Sequence, residues 1–379
     1  MKVLHIITSS ETGGAEIALE KLIKFHISNS KYIHNVVCLK PLGDVGDRLI
    51  SEGVKVTSLN LKSFLFLPLS FFKLLLLIKN QKPDLIQTWL YHSDLIGSLA
   101  ALLLGFKKII WNIRSSDALL GKGLSISGYL SMRLCSLISH SVPHTIISVA
   151  ERAKEQHLKQ GYCERKFKVI QNGFSLEKFN PLLDVTKHSR ERIDLIEGFK
   201  IVGSIGRYNE YKDYQTLIAA SKIMLSKRKD ILFVLIGEGL EDGNKELKEL
   251  LINQGVFNNF RLLGKRNNIN ELILLFDVFC LHSISEGFPN VLGEAMSSGI
   301  PCVSTDAGDA GILLGDVGRL VEVGQPKQLS KALLEVLDLP SEKIQEISKL
   351  GRERIKSRFS INKIVKKYEE LYEEISISK

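Results

Sequence analysis

Residues 277–306 constrain the fold of this chain more than any other stretch, because strand, turn, helix and strand follow one another without interruption. An apolar run ends near His282, and an acidic turn and an amphipathic segment follow it. The amphipathic segment stops at Gly299, a residue type that ends helices by adopting left-handed backbone. Pro289 is predicted at the first helical position, where its missing N–H group has no intrahelical partner to lose. Two strands joined by a helix form a βαβ unit, which predicts a parallel sheet.

Two carboxylates mark this stretch, Glu286 in the turn and Glu294 inside the predicted helix. Backbone N–H groups of residues 287–291 and the positive end of the helix dipole would attract a phosphate group. An ionised Glu294 accepts hydrogen bonds only, so it could bind the two hydroxyl groups of a ribose. Acidic residues near a helix N-terminus also stabilise any helix. The spacing alone therefore leaves open a nucleotide site and an ordinary capped helix.

The rest of the chain alternates strands and helices in two successive series. The first opens with an apolar run at residues 2–8, and the second opens with another at residues 200–204. The intervening residues 174–198 have no regular period and carry mixed charge. This organisation predicts an α/β fold of two doubly wound parallel sheets. The predicted divisions are a first domain over residues 1–180, a linker over residues 181–198 and a second domain over residues 199–360.

Positive charge is concentrated in the first half of the chain. Residues 1–180 contain 23 Lys and Arg against 13 Asp and Glu, whereas the remainder has 28 against 29. The basic half suits an anionic membrane surface or a diphosphate-bearing acceptor, and a merely solvated basic surface is the alternative. Nucleic acid is not expected as a partner, because the basic residues do not cluster with aromatic residues.

Residues 64–78 are apolar except for Pro68, Ser70 and Lys73. As a helix they would span about 22 Å, which is shorter than the roughly 20-residue helix that a bilayer requires. A helix that is apolar nearly all round is either buried in a core or lies in a membrane interface. Lysines flank the segment, and both interpretations stay open.

The five cysteines are scattered and lack CxxC spacing, so we expect reduced thiols rather than a disulfide framework or a zinc site. The apolar run at the start of the chain is too short for the core of a signal peptide. We therefore expect a cytoplasmic protein, at the inner face of the cell membrane if the basic half contacts lipid.

Polar groups follow several predicted strands of the second domain, at the edge where ligands collect in open α/β sheets. Arg207 and Lys212 come after the strand at residues 200–204, and two such cations would neutralise a diphosphate. A solvated pair of charges is the alternative. The Gly237-Glu238-Gly239 turn that closes the next predicted strand would let backbone approach a base or ribose, which adds Gly237 and Glu238 to the candidates.

Three further candidates lie in the first domain. Gly14 belongs to a loop before a predicted helix, although the loop matches neither the P-loop nor the G-x-G-x-x-G pattern. His92 could orient a hydroxyl group or act as a base, and a structural histidine is the alternative. Arg114 follows the strand at residues 108–113 in the same way as His92 follows the strand at residues 84–88.

Together these residues resemble glycosyltransferase family 4. Residues 286–301 match the family pattern E-G-F-P-x-V-x-x-E-A-M-x-x-G-x-P-V up to its final valine, where this chain has Cys302, and residues 206–212 match G-R-x-x-x-x-K. The N-G turn at residues 172–173, the G-G loop at residues 13–14 and the closing stretch at residues 359–372 also match. The donor-binding residues that this resemblance implies are Gly14, Gly206, Gly237, Glu238, Gly287, Phe288, Pro289, Asn290, Val291 and Glu294.

The resemblance implies a GT-B fold, in which two Rossmann-like domains face a cleft. A C-terminal helix at residues 361–379 would return to the first, acceptor-side domain, and the second domain would bind the nucleotide-sugar. Glu294 would then hold the ribose, Glu286 the hydroxyl groups of the transferred sugar, and Arg207 and Lys212 the diphosphate. Neither a metal nor another cofactor is expected, because the two cations and the helix dipole would do the work of a metal.

The activity implied is a retaining transfer of a hexose or N-acetylhexosamine from a nucleotide-sugar, with UDP as the expected nucleotide. The W-L-Y-H-S-D segment at residues 89–94 resembles a subgroup that builds bacterial surface polysaccharide, capsule or lipopolysaccharide on lipid carriers, so a lipid-linked or surface-glycan acceptor is expected. Arg114 stands where family members commonly have a histidine, and its high pKa suits an electrostatic clamp rather than a proton carrier. The alternatives are a UDP-sugar 2-epimerase of GT-B fold and a non-catalytic nucleotide-binding relative.

Overall fold

The structure is a computed structural model, which describes residues 1–27, 31–61, 63, 66–114, 119–120, 123–183 and 198–377. The predicted linker lies mostly outside these residues, and residues 64–65 of the apolar segment also lie outside them. The contacts divide the chain into two compact units. The N-terminal unit comprises Met1–Gly173 and Ile361–Lys379, and the C-terminal unit comprises Phe174–Ser360.

The N-terminal unit contains a seven-stranded sheet in the order β3-β2-β1-β4-β5-β8-β9, with all neighbouring strands parallel. Its elements are β1 (Lys2–Ile7), α1 (Gly14–Ile27), β2 (Ile33–Cys38), α2 (Asp44–Ser51), β3 (Lys55–Ser58), α3 (Leu67–Gln81), β4 (Leu85–Trp89), α4 (Tyr91–Leu103), β5 (Ile109–Ile113), the short pair β6 (Leu119–Leu120) and β7 (Gly123–Leu124), α5 (Ile126–Ile138), β8 (Thr145–Ser148), α6 (Glu151–Lys159) and β9 (Phe167–Val169).

The C-terminal unit contains a six-stranded parallel sheet in the order β12-β11-β10-β13-β14-β15. Its elements are β10 (Lys200–Ile205), α7 (Tyr214–Lys227), β11 (Ile231–Ile236), α8 (Lys245–Asn253), β12 (Phe260–Leu262), α9 (Ile269–Leu272), β13 (Val278–Leu281), α10 (Asn290–Ser297), β14 (Cys302–Thr305), α11 (Ala310–Leu314), β15 (Arg319–Val321), α12 (Pro326–Leu337) and α13 (Ser341–Arg354). The prediction of two doubly wound α/β domains is confirmed.

Continuous apolar strands explain why these sheets are parallel and covered on both faces. All six residues of β11 are buried, as are all five of β4 and all four of β13. A strand whose two faces both meet helices loses the alternation of polar and apolar residues that a half-exposed sheet would show. The core therefore lies on both sides of each sheet.

The sequence prediction assigned residues 174–180 to the first domain, whereas they belong to the C-terminal unit. Phe174 is fully buried there, with its ring centroid 6.1 Å from that of Phe288. Its N–H group donates to the carbonyl of Phe359 at 2.9 Å. Burial of this ring in the second core moves the division back to residue 173.

The last helix, α14 (Ile361–Ile377), packs against α1 in the N-terminal unit. Its buried face carries Tyr368 and Tyr372, whose hydroxyl groups meet the polar residues Asn112 and Gln87 on β5 and β4. These tyrosines bring hydroxyl groups to polar strand residues that would otherwise be buried beside apolar atoms.

Three buried histidines form a directed chain in this unit. Trp89 Nε1 can only donate, and it lies 3.2 Å from His5 Nδ1, so His5 carries its proton on Nε2. His5 Nε2 then donates to His34 Nδ1, and His34 Nε2 donates to His26 Nδ1, both at 2.9 Å. The chain ends at Glu369 on α14, whose Oε1 lies 3.5 Å from His26 Nε2. All three rings are therefore neutral.

Within the part of the chain that the structure describes, no helix is both long enough and apolar enough to cross a membrane.

Candidate active site

The strand order of the C-terminal unit sets two loops side by side. β10 lies between β11 and β13, so the direction of the crossovers reverses between β10 and β13. Ligands of open α/β sheets bind at such a switch point, beyond the carboxyl ends of the strands. The loop after β10 carries Gly206, Arg207 and Lys212, and the loop after β13 carries Ser283 and Glu286.

Lys212 and Glu286 meet in this place. Lys212 Nζ lies 2.6 Å from Glu286 Oε1, and both side chains are largely buried, at 20% and 15% exposure. Ser283 Oγ donates to the same carboxylate oxygen at 2.7 Å. Among the described residues both bonds fall on Oε1, so Oε2 can accept from a ligand hydroxyl group. A lysine ammonium ion beside a largely buried, oriented carboxylate is suited to a polar, phosphate-bearing ligand.

Arg207 differs from Lys212. Its side chain is exposed, and no described residue offers it a hydrogen bond or an ion pair. The sequence predicted equal roles for the two cations. The structure brings only Lys212 into contact with Glu286, and it leaves the Arg207 guanidinium facing solvent.

His282, which sequence reasoning did not single out, supports the loop of Lys212. Its Nδ1–H group donates to the carbonyl of Lys212, and its Nε2 accepts from Ser204 Oγ at 2.8 Å. The ring also meets the edge of Tyr214, with centroids 4.7 Å apart. Burial lowers the pKa of His282 to about 4, so the ring is neutral at pH 7. A polar residue ending an otherwise apolar strand was the available signal.

Two glycines allow backbone to pass closely behind the site. A Cβ atom on Gly237, whose φ is 150°, would lie 1.8 Å from the Gly206 carbonyl oxygen. A Cβ atom on Gly308 would lie 2.1 Å from the Glu286 carbonyl oxygen. Gly308 was not predicted, and its place against the Glu286 loop explains why a glycine stands there. Glu238 is exposed, and its carbonyl accepts from Tyr208 N–H at 2.8 Å.

The helix after Glu286 begins one residue later than predicted. Pro289 is the residue before the first helical position, with φ −73° and ψ 100°, and α10 starts at Asn290. The ring of Phe288 is buried between Phe174 and Phe359, at centroid distances of 6.1 and 5.5 Å. Phe288 therefore anchors the loop in the core through its side chain, and only its backbone is available to a ligand.

The remaining donor-side candidates lie around the start of α10. Gly287, Asn290, Val291 and Glu294 are half-buried, and the Gly287 carbonyl accepts from Asp309 N–H at 2.9 Å. Asn290 and Glu294 are four residues apart and so share one face of the helix. The structure thus places Glu286, Glu294 and the helix start within one continuous loop–helix segment.

In the N-terminal unit, His92 lies at the second residue of α4, directly after strained backbone. Leu90 has φ 71° and ψ 157°, a conformation that side-chain-bearing residues rarely adopt and that persists where surrounding contacts enforce it. His92 Nε2 lies 3.3 Å from Ser127 Oγ, and burial, followed by the charge of Lys40, lowers the pKa of His92. A neutral His92 is able to accept a proton.

Arg114 ends β5, the neighbouring strand. Its guanidinium lies 5.2 Å from the ring centroid of Trp89, and Nη2 donates to Tyr368 Oη at 3.3 Å. Nε and Nη1 are buried, and among the described residues neither has a hydrogen-bond partner. Burial lowers the pKa of Arg114. A buried guanidinium with unsatisfied donors suits a bound anion. Gly14 belongs to the same unit, and a Cβ atom there would meet nothing within 4 Å.

Two family models match the chain, one in each unit. "Glycosyltransferase Family 4" covers residues 12–178 and "Glycosyl transferases group 1" covers residues 185–354. The two matches together include both loops described above.

The chain is a glycosyltransferase of the family 4 type.

Named relatives agree with this assignment of the glycosyltransferase. An Escherichia coli UDP-Gal:alpha-D-GlcNAc-diphosphoundecaprenol alpha-1,3-galactosyltransferase is 26% identical over 365 residues, which is 93% of this chain and 92% of that protein. The Staphylococcus aureus capsular polysaccharide biosynthesis glycosyltransferase CapM is 26% identical, over 98% of this chain and 96% of its own.

Solved structures share the fold of the glycosyltransferase. Anabaena Alr3699/HepE, in complex with UDP and glucose, superposes with a TM-score of 0.85 at 21% identity, covering 99% of this chain and 100% of that one. WaaG, a glycosyltransferase of lipopolysaccharide biosynthesis, gives a TM-score of 0.72 at 13% identity, over 98% of this chain and 99% of that one. The predicted GT-B fold is confirmed.

Among the described residues, no group of three or more His, Cys, Asp or Glu side chains could hold a metal ion. Independence from metals and from other cofactors stays a prediction. The residues predicted in the C-terminal unit gather at one switch point, whereas Gly14, His92 and Arg114 belong to the N-terminal unit.

Proposed function

We propose that this glycosyltransferase moves a hexose or N-acetylhexosamine from a UDP-sugar to a lipid-linked or surface-glycan acceptor, with retention of configuration and without a metal. The contact between Lys212 Nζ and Glu286 Oε1 carries this proposal. It places a cation and an oriented carboxylate at the switch point of the donor-side sheet, where a nucleotide-sugar would present both a diphosphate and sugar hydroxyl groups.

Lys212 acts on the leaving group. When the bond between the sugar and the diphosphate breaks, its electron pair stays with the phosphate oxygen, and negative charge grows there. An ammonium ion held in a partly buried site stabilises that charge more than bulk water would. Exposed Arg207 adds a second, mobile cation that can close on the diphosphate after binding.

Glu286 and Glu294 bind the donor at two points. Glu286 accepts from hydroxyl groups of the transferred sugar through Oε2, because Lys212 and Ser283 already bind Oε1. Glu294 binds the ribose, and the N–H groups at the start of α10 face the phosphates. UDP as the nucleotide is supported by two similar proteins, one named as a UDP-Gal transferase and one solved with UDP and glucose.

Retention follows from same-face attack. The acceptor hydroxyl approaches the anomeric carbon on the face that the diphosphate leaves, its oxygen forms the new bond, and its proton passes to the departing phosphate. Arg114 acts as an electrostatic clamp for an anionic group, and His92 orients a hydroxyl group. A lipid-diphosphate acceptor, as in the name of the E. coli relative, would supply such an anion, and a cytoplasmic reaction beside the inner face of the membrane goes with it.

The product distinguishes this proposal from its alternatives. We expect transfer from a UDP-sugar to an acceptor glycan, with the anomeric configuration of the donor kept in the product by NMR and with full activity in EDTA. Inverted product or activity that returns only with added metal would contradict the mechanism. Release of UDP with epimerised sugar and no acceptor would indicate a 2-epimerase. Absence of turnover over a broad donor panel, with nucleotide binding intact, would indicate a non-catalytic relative.

A further inference from the structure

Exposed apolar side chains concentrate on three helices of the N-terminal unit. The described part of the chain has 23 exposed large apolar side chains. Of these, 12 lie on α3, α4 or α5 or directly beside an end of one of these helices. They are Phe66, Leu69, Phe72, Leu76, Leu99, Leu102, Leu103, Leu104, Ile126, Leu130, Leu134 and Leu137. We call them the three-helix surface.

The three helices cover the same face of one sheet. α4 packs against both α3 and α5, and the buried sides of all three join a single apolar cluster that includes Leu74, Ala101 and Met132. Because their inner sides share that cluster, their outer sides form one neighbouring set. On α3 the exposed positions include 69, 72, 73 and 76, and on α5 they include 126, 130, 134 and 137, which is the spacing of one helix face.

The two faces of α3 differ in burial. Ser70, Leu74 and Ile78 are buried, whereas Leu69, Phe72 and Leu76 are exposed. A helix that anchors one face in the core and leaves phenylalanine and leucine in water on the other has an unpartnered apolar face.

The exposed charged residues on these three helices are all cationic. Within α3, α4 and α5 the sole acidic residue is Asp94, which is fully buried, whereas Lys73, Lys79 and Arg133 are exposed. In the sequence, residues 61–140 contain nine Lys and Arg against three Asp. Exposed apolar groups interleaved with cations match a lipid surface that offers acyl chains beneath anionic headgroups.

We propose that the three-helix surface docks this glycosyltransferase onto an anionic lipid bilayer as a peripheral protein. The leucines and phenylalanines enter the boundary between headgroups and acyl chains, and the Lys73 and Lys79 ammonium groups reach back to the headgroups. A second copy of the chain is a poorer occupant. A two-fold interface would set the same patch against itself and bring like charges together.

This docking deepens the proposed function, because a lipid-linked acceptor would be reached at the same surface. Lipid binding can nevertheless be measured without donor or acceptor. Its failure would therefore leave the transferase proposal intact, and failure of sugar transfer would leave the docking proposal intact.

Vesicle flotation tests the docking. The full chain is mixed with vesicles of phosphatidylcholine alone or with added phosphatidylglycerol, at about 0.05 M and about 0.5 M NaCl. We expect flotation with the anionic vesicles, weakened at high salt. The variants L69Q/F72Q/L76Q on α3 and I126Q/L130Q/L137Q on α5 should each bind the anionic vesicles at least roughly tenfold more weakly than the parent.

The matched control is I252Q/L320Q/L350Q, which changes three exposed apolar residues of the C-terminal unit and should float as the parent does. Circular dichroism melting confirms that each variant folds. No flotation of the parent at low salt would overturn the proposal. So would loss of binding in the α3 variant without any loss in the α5 variant. A concentration-dependent dimer in sedimentation, abolished by these variants in a chain that does not bind vesicles, would assign the surface to self-association instead.

Discussion

Lys212 and Glu286 are 74 residues apart in sequence, and their side chains meet at 2.6 Å between Nζ and Oε1. The contact exists because β10 and β13 are neighbours at the point where the strand order reverses. His282 holds the carbonyl of Lys212, and Gly308 lies against the carbonyl of Glu286. Each half of the pair therefore has its own backbone support.

Substituting Gly308 tests that support for Glu286. In Gly308→Ala the new Cβ atom would lie 2.1 Å from the Glu286 carbonyl oxygen, so the Glu286 loop must move. We expect a loss of about 1–3 kcal/mol in the free energy of unfolding and a transfer rate lowered roughly tenfold or more. The control is Gly324→Ala, which has φ 70° and no atom within 4 Å of the new Cβ. It should lose stability through backbone strain and keep its transfer rate. Equal rates in the two variants would contradict the role of Gly308.

We expect Arg114 to support sugar transfer while lowering the stability of the fold. Its buried Nε and Nη1 have no partner among the described residues, and such a charge destabilises a fold in the absence of an anion. We expect Arg114→Met to melt at the same temperature as the parent or higher, while sugar transfer falls roughly tenfold or more. Arg165→Met, at an exposed position, should change neither property. A large fall in melting temperature for Arg114→Met would show that the arginine is structural.

The histidine chain predicts acid sensitivity. Burial, together with the neighbouring histidines, lowers the pKa of His5, and burial lowers the pKa of His26 to about 4 and of His34 to about 3. Unfolded histidines titrate near pH 6.5, so below that pH the unfolded protein binds protons that the folded protein does not bind. Stability therefore falls as pH decreases from about 6.5 towards 4, by up to about 1.4 kcal/mol per pH unit for each ring.

Melting curves between pH 7.5 and 5 measure this effect. His34→Gln removes one of the rings and should flatten the dependence of melting temperature on pH, although it lowers stability at every pH. His140→Gln, at an exposed position, should leave the slope unchanged. If the melting temperature of His34→Gln depends on pH as steeply as that of the parent, the three-histidine chain does not govern acid stability.

The sequence predicted what depends on local pattern. Apolar runs predicted the two parallel sheets, and the polar residues after the strands made Glu286 and Lys212 candidates, because ligands of open α/β sheets collect beyond the carboxyl ends of the strands. Packing between residues that are distant in sequence could not be predicted. Phe288 looked like part of a ligand loop, yet its ring is buried between Phe174 and Phe359. That same packing moved the division between units to residue 173.

Other contacts depend on residues that no local signal connects. Tyr368 reaches Arg114 from a helix 254 residues further along the chain. Taken one at a time, His5, His26 and His34 give no signal in the sequence. The pairing of β1 with β2 and the packing of α1 bring them into one chain of hydrogen bonds. Gly308 follows an ordinary strand, and its role becomes visible only when the Glu286 loop is seen against it.

The most direct test of the Lys212–Glu286 pair is a double-mutant cycle on the rate of sugar transfer. We expect Lys212→Ala and Glu286→Ala each to lower kcat/KM by roughly 100-fold or more, about 2.7 kcal/mol, with folding retained. The double variant should be little worse than either single variant, because the two side chains act together. Lys222→Ala, at an exposed position, should behave as the parent does. Near-normal transfer in both folded single variants would contradict the account.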